Sequence, residues 1–404
     1  MTLHHPSYCS PFERLHGGST LTKSKRITVD EILRHFSELE DPRDNINQKH
    51  PFGSVLVIAL MAVLAGAGGP TAIAQWALYK KDLLMPVLDL PNGIPAKDVF
   101  RRVLMALKPQ AFQLAFTNWL NSLREKSATE TEITQPVLAV DGKTLRRSHD
   151  KKKKLGALHS VSVWASEFGL SLGQVACAEK SNEITAIPEL LQLVDITGAI
   201  VTIDAMGTQK AITKVIVEKE GDYVLALKGN QESLPQAVID YIDEQSLNDF
   251  QAIETRQHLT SETGHGRDEV RCYIQMPAPK DLPGFELWTG LKTVAVVVSQ
   301  SVRGGKEVIE KRYYISSLKL GVKNLARAVR GHWGVENGCH WILDVVYRED
   351  ESRIREQNLR ENFAWLNRFT LSLLKQHPGK GSVAMKRRGC GWNDKFLMQV
   401  LTGK

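Results

Sequence analysis

The sequence predicts an α/β protein: a mixed sheet flanked by helices, preceded by an all-α region and interrupted by a β-rich segment. Three observations carry this. The first hundred or so residues show only helical apolar spacing. From Val137 onward the pattern changes to short apolar runs in the order strand, strand, strand, helix, strand, helix, strand. Residues 250–315 are strand-rich again, and a long helical pattern follows.

Residues 1–26 are expected to form a loosely ordered extension, and they lack the apolar run of a secretory signal. Thr28-Val29-Asp30-Glu31 is a capping box, with the acid three residues after the cap, and it opens a helix through Leu39. Helices are expected near 53–67, 71–86, 96–107 and 109–124, so residues 27–125 read as a helical domain. Residues 94–105 are readable as the start of a helix-turn-helix or as a plain helix. No charged residue stands between Lys49 and Lys80, but the apolar run Ser54–Gly68 falls short of the roughly 20 residues that a membrane span needs. A buried helix is expected there.

The polar stretch Glu125–Gln135 reads as a linker to a second region, 136–350. Val137–Val140 is a buried strand, followed by a basic loop, Arg146 to Lys154, and by strands near His159–Ala165 and Leu170–Ala178. Thr185–Val194 has helical spacing, with Pro188 tolerable in its first turn. Ala199–Ile203 is a strand, Gln209–Lys219 a helix and Asp222–Leu227 a strand. After a helix near 232–244, the β-rich insertion occupies about 245–318, with strands at Glu269–Gln275, Thr293–Ser299 and Val308–Ile315. One long helix is expected from Val322 to Val345. Residues 351–404 are expected to be helical, about Gln357–Lys375, and to end in a basic tail with Lys386-Arg387-Arg388 beside Trp392.

The composition, 42% hydrophobic and 24% charged, is that of a globular chain and excludes collagen-like or disordered classes. A formal charge of +7 is compatible with a polyanionic partner. The five cysteines, Cys9, Cys177, Cys272, Cys339 and Cys390, are scattered and odd in number. They give neither a disulfide framework nor a zinc-finger spacing, which favours a reducing, cytoplasmic setting.

Two carboxylates follow predicted strands, Asp141 after Leu138-Ala139-Val140 and Asp204 after Ile200–Ile203. A third, Glu336, lies in a predicted helix. Phosphoryl transfer at a DNA backbone needs charge neutralised on the attacking and leaving oxygens, and hard cations held by carboxylates supply that. Each acid has a plain alternative: Asp141-Gly142 makes a turn, and Asp204 caps a helix. His332, Glu336 and His340 recur at four-residue intervals, which raises zinc as an alternative ion. The outer pair is about 12 Å apart along a helix, too far to share one ion easily.

Seven ordered blocks carry a resemblance: AVDGKTLRRS (139–148), EKSNEITAIPELL (179–191), TIDAMGTQK (202–210), DYVLALKGNQ (222–231), HGRDEVR (265–271), RYYISS (312–317) and VRGHWGVENGCHWILDVVYRED (329–350). The chain resembles DDE insertion-sequence transposases, most of all the ISAs group with its H-repeat-associated proteins of Rhs loci, from about Ile27 onward. The resemblance implies an RNase H-like mixed five-stranded sheet with a β-rich insertion before the last catalytic helix. It implies Asp141, Asp204 and Glu336 as the catalytic, metal-binding acids, with Mg2+ as the ion and Mn2+ able to substitute. The sequence departs from better-studied relatives in the Tyr, Arg, Glu, Lys signature of that helix. His332 and His340 stand four residues either side of Glu336, so phosphate binding there passes to Arg330 or His332.

Further DNA contacts are expected from Lys143, Arg146 and Arg147 after the first acid, from Lys228, Asn230 and Gln231 after the fifth strand, and from His265 and Arg267. Arg330, His332, Trp333 and His340 complete the set, with core packing as the competing role for Trp333 and Trp341. Asn182 and Glu183 belong to a motif of the resembled family, and as residues they are explained equally well as helix-start polar groups. The expected function is a transposase that cuts DNA at its element's ends and joins them to target DNA by two-metal phosphoryl transfer. Its partners are double-stranded DNA, as terminal inverted repeats and as target, and further copies of itself. An RNase H-like nuclease without integration, a catalytically silent DNA-binding relative and a membrane-associated protein are the rival readings. The expected location is the bacterial cytoplasm, at the nucleoid.

Overall fold

The computed structural model describes residues 29–44, 48–127, 135–149, 155–177, 183–229, 233–264, 267–303 and 306–403. Thr28 of the expected capping box and the run Lys151–Lys154 lie outside them. The N-terminal region is helical: α1 (Val29–Ser37), α2 (Phe52–Leu64), α3 (Pro70–Tyr79), the single turn α4 (Lys81–Leu84), α5 (Lys97–Ala106) and α6 (Pro109–Ser127). α1 turns Ile32 and Phe36 inward, and Phe36 meets Phe116 and Trp119 edge to face, with centroids 5.0 and 6.0 Å apart. α2 is apolar all round because it is buried all round, from Ser54 to Leu64. Among the described residues no helix is long and apolar enough to cross a membrane.

The strands are β1 (Val137–Leu145), β2 (Leu158–Ala165), β3 (Leu170–Ala176), β4 (Ile200–Ile203), β5 (Asp222–Leu227), β6 (Arg256–Gly264), β7 (Arg267–Pro277), β8 (Thr293–Arg303) and β9 (Lys306–Ser316). They form one nine-stranded sheet in the order β3-β2-β1-β4-β5-β9-β8-β7-β6. β1, β4 and β5 run parallel, while β2 and β3 fold back antiparallel on β1. This five-strand order is RNase H-like, as expected. α7 (Glu183–Leu193), with Pro188 in its interior, connects β3 to β4, and α8 (Lys210–Glu218) connects β4 to β5.

The β-rich insertion prolongs this sheet. After α9 (Leu234–Ser246), β6 to β9 form an antiparallel meander, and Tyr313–Ser316 of β9 pair with Leu227–Val224 of β5. The sequence of β9 shows why only its end joins the core. Lys306–Lys311 are polar or exposed, whereas Tyr314, Ile315 and Ser316 are buried. β6 is largely polar and pairs in the sheet with β7 at the outer edge, so it lacked an apolar signal in the sequence.

The expected long helix is three pieces: α10 (Val322–Val335), a π-helical turn (Glu336–His340) and α11 (Trp341–Val345). α10 lies close on β1. A Cβ on Gly331 would come within 2.7 Å of Val137 Cγ1, and the Gly331 carbonyl accepts a 2.6 Å hydrogen bond from Ser166 Oγ. α12 (Gln357–Gln376) is buried along most of its length. Its Phe369 packs on Phe116 at 4.0 Å, and Asn362 donates to the carbonyls of Leu104 and Leu107, tying the helical region to the sheet.

The expected basic tail is folded, as α13 (Val383–Trp392) and α14 (Asp394–Thr402). Arg387 stacks over the Tyr347 ring at 4.0 Å and donates to the Val346 carbonyl, and Lys386 donates to the carbonyls of Leu374 and His377. Trp392 is exposed.

Candidate metal centre

The parallel pairing of β1 with β4 ends at Val140 and Ile203, so Asp141 and Asp204 emerge side by side from neighbouring strands. Asp141 is no turn residue: β1 continues to Leu145, with Asp141 opposite Ser162 and Gly142 opposite Val161 on β2. Asp204 does not cap α8 either. Its Oδ1 accepts from the Gly207 N–H at 3.1 Å, and Thr208 Oγ1 donates to the carbonyls of Asp204 and Ala226. These bonds hold the turn after β4 in one shape.

Glu336 arrives on the far end of α10, at the start of the π-helical turn. Asn337 and Gly338 within that turn are poor helix formers, and a π-turn accommodates one extra residue. The turn brings His340 inward while Glu336 stays exposed. His340 Nδ1 lies 3.4 Å from Asp141 Oδ2 and 3.7 Å from Glu336 Oε2. One ligand atom from each of Asp141, Glu336 and His340 falls within 4.8 Å of the other two.

The electrostatics are those of a part-buried cluster of acids. Burial pushes the Asp141 carboxyl up to about 7, and the charges of Asp204, Glu183 and Glu336 add to that, against one opposing hydrogen bond from the Gly142 N–H. Burial drives His340 down to about 3, helped by Arg368, Lys143 and His332, so its ring is neutral. Neutral imidazole and carboxylate oxygens are the donors a divalent cation takes. The residues present therefore fit such an ion.

The other expected site residues divide. His332 and His340 do not share one ion: His332 Nδ1 pairs with Thr202 Oγ1 at 3.1 Å on β4, and burial lowers its pKa despite the nearby Asp204. His332 thus faces β4, and His340 faces Asp141 and Glu336. Lys143 is placed differently from Arg146 and Arg147. It is buried, with its ammonium 2.5 Å from Asp344 and 3.9 Å from Asp350.

Arg146 and Arg147 are exposed beside it, Arg146 bridging to Asp350 at 3.3 Å. Lys228 is exposed after β5. Arg330 is exposed on α10 and hydrogen-bonds Glu262 of β6. Trp333 and Trp341 are 43% and 55% exposed, so neither packs in the core; Trp333 lies under the Arg312 guanidinium at 4.3 Å. Asn182, Asn230, Gln231 and His265 lie outside the described residues, as does the side chain of Arg267.

Sequence reasoning missed the Lys143–Asp344 pair and the contact of Glu183 with His159, 2.9 Å from Oε1 to Nε2. The spacing of His340 from Glu336 was the one visible signal for its role, and a straight helix would have left its inward turn unexplained.

The family described as "Transposase DDE domain" matches residues 132–374, and the one described as "DDE_Tnp_1-associated" matches residues 33–120. The chain is 37% identical over 383 residues to an "H repeat-associated putative transposase YhhI" of Escherichia coli (strain K12), covering 93% of this chain and 99% of that one. It is 37% identical over 380 residues to a "Putative transposase YncI" of Escherichia coli O157:H7, covering 93% and 95%. A piggyBac transposase synaptic complex with hairpin DNA superposes with a TM-score of 0.40 at 11% identity, over 93% of this chain and 82% of that one, which is too loose to bear on the fold.

Proposed function

This chain belongs to the DDE transposase family, and we propose that it cuts DNA at the ends of its own insertion element and joins those ends to target DNA. The observation that carries the reading is the convergence of Asp141, Glu336 and His340, with Asp204 emerging beside Asp141 on the next strand. Asp141, Asp204 and Glu336 would hold divalent cations, Mg2+ or in its place Mn2+. When bound, such ions neutralise charge on the attacking and leaving oxygens of a phosphodiester.

The chain's own groups do the rest. Strands fix Asp141 and Asp204, and the Gly207 N–H keeps the Asp204 carboxylate oriented. Glu336, exposed at the end of α10, faces the side from which a DNA strand would approach. Arg146, Arg147, Lys228 and Arg330 would bind phosphates around it, with Asn230, Gln231, His265 and Arg267 as further contacts. Trp333 stands half-exposed among them, its ring under the Arg312 guanidinium. Two ends must be held together for joining, so the working form on DNA would be a homo-oligomer. Residues 27–125 would bind the terminal repeats.

The test is incubation of DNA carrying both element ends with protein and Mg2+, scoring nicked and joined products. Wild type is expected to give both. Asp204→Asn and Glu336→Gln are expected to bind the DNA and give neither. Cutting at the wild-type rate by either variant removes that residue from the catalytic set. Cutting without joined product favours a nuclease.

A further inference from the structure

Gly142 lies inside β1, where a glycine weakens a strand and often marks a close approach. Here the approach is by Glu183. A Cβ on Gly142 would lie 2.1 Å from Glu183 Oε1 and 2.5 Å from its Cδ, so the carboxyl group rests on the backbone one residue beyond Asp141.

An acid in the first turn of a helix has an ordinary explanation in the helix dipole. Glu183 opens α7 in that way, yet its side chain turns to the sheet. Its Oε1 is 2.9 Å from His159 Nε2, and His159 Nδ1 is 2.7 Å from Thr144 Oγ1. With the Thr144 hydroxyl donating to Nδ1, the Nε2–H donates to Glu183. Thr144 and His159 are cross-strand partners, so the clamp is built into the β1–β2 ladder.

A fourth carboxylate against this anionic stretch is unfavourable unless a cation shares it. An independent sign of a ligand comes from His340. Its ring is 5% exposed, its Nε2 has no hydrogen-bond partner among the described residues, and its Nδ1 is turned to Asp141 and Glu336 at 3.4 and 3.7 Å. Those separations exceed good hydrogen bonds and approach the spacing of about 3.0–3.5 Å between two ligands bound at about 2.1 Å to one ion. Asp204 stands outside that close set.

Resting on the metal-dependent reading above, we propose that Glu183 is a further acidic residue of the centre, which with Asp141 and Asp204 binds a second divalent cation beside the one held by Asp141, Glu336 and His340. His159 positions it, and Gly142 leaves it room.

The test uses the full chain without DNA and Mn2+ alone. Calorimetry reads stoichiometry, and electron paramagnetic resonance reads the coupled spectrum of a neighbouring ion pair. Wild type is expected to bind a pair of ions. Glu183→Gln is expected to keep one, with the second bound at least about tenfold more weakly and the coupled spectrum gone. Gly142→Ala keeps every carboxylate but fills the seat, and is expected to do the same. Thermal unfolding checks each variant, and Glu183→Gln, being isosteric, decides if Gly142→Ala fails to fold. A Glu183→Gln protein that binds a pair at wild-type affinity overturns the proposal and leaves the rest of the centre standing. A wild type that binds one ion also overturns it. A wild type that binds none overturns both the proposal and the metal-dependent reading.

Discussion

The ammonium of Lys143 lies 2.5 Å from Oδ1 of Asp344, joining β1 to α11 across 201 residues of sequence. Its side chain is 6% exposed, and that of Asp344 is 36% exposed. Removing a buried partner strands the other charge, although the exposure of Asp344 softens the penalty. Lys143→Met is expected to lower unfolding free energy by about 1–3 kcal/mol in a urea titration. DNA affinity of the folded fraction should not change. A loss of affinity with stability intact would return Lys143 to the DNA-contacting set.

Arg146 and Arg147 should behave oppositely. Both are exposed on the loop after β1, and the Arg146 bridge to Asp350 is solvent-screened. Arg146→Ala and Arg147→Ala are expected to change stability by less than about 0.5 kcal/mol. Each should reduce the slope of log affinity against log salt by about 1. Fluorescence anisotropy over a salt series reads this, and an unchanged slope would take these side chains off the phosphates.

The Asp141 carboxyl, raised by burial and its acidic neighbours from 3.8 to about 7, links protons to metal. In the metal-free protein the folded state holds a proton through that interval which the unfolded chain has already released. Stability should therefore fall as pH rises from about 4 to about 7, more in wild type than in Asp141→Asn. Mn2+ binds the ionised form, so its apparent affinity should climb over the same interval and level off above it. Calorimetry near pH 6 in buffers of different ionisation heat would detect the released proton, and a buffer-independent heat would contradict the linkage.

Gly331→Ala probes how α10 delivers Glu336. The added methyl would meet Val137 Cγ1 at 2.7 Å and Cβ at 3.1 Å, a short branched side chain that is fully buried on β1. Overpacking of this kind costs about 1–3 kcal/mol. Mn2+ affinity should fall with stability, since α10 must lift off β1. Full metal affinity in a destabilised protein would mean that Glu336 is held independently of that contact.

The RNase H-like strand order was legible because β1, β4 and β5 are buried on both faces and read as short apolar runs. β6 was not, since residues such as Gln257, Thr260 and Ser261 carry no apolar period, and the strand forms only against β7. The acids were legible as strand-following residues and through the family blocks. What they touch was not. The π-helical turn depends on where α11 docks, and a helical period continues smoothly through Glu336 and His340 in sequence. The seat of Glu183 needs Gly142, Thr144 and His159 together, on two strands and a helix, which no local pattern records. The buried pair of Glu349 and Arg368, 3.5 Å apart, is invisible for the same reason.

Because β9 lies directly against β5, the meander is a retaining wall for the strand that follows Asp204. Cutting it away would leave the N–H and C=O groups of β5 from Val224 to Leu227 without their ladder, ready to capture a stray strand. It would also sever the peptide link from β9 to α10, the carrier of Glu336. Shortening the hairpin tips beyond Glu310, where β9 turns polar, would spare both. This arm is thus fixed inward, where the chemistry is anchored.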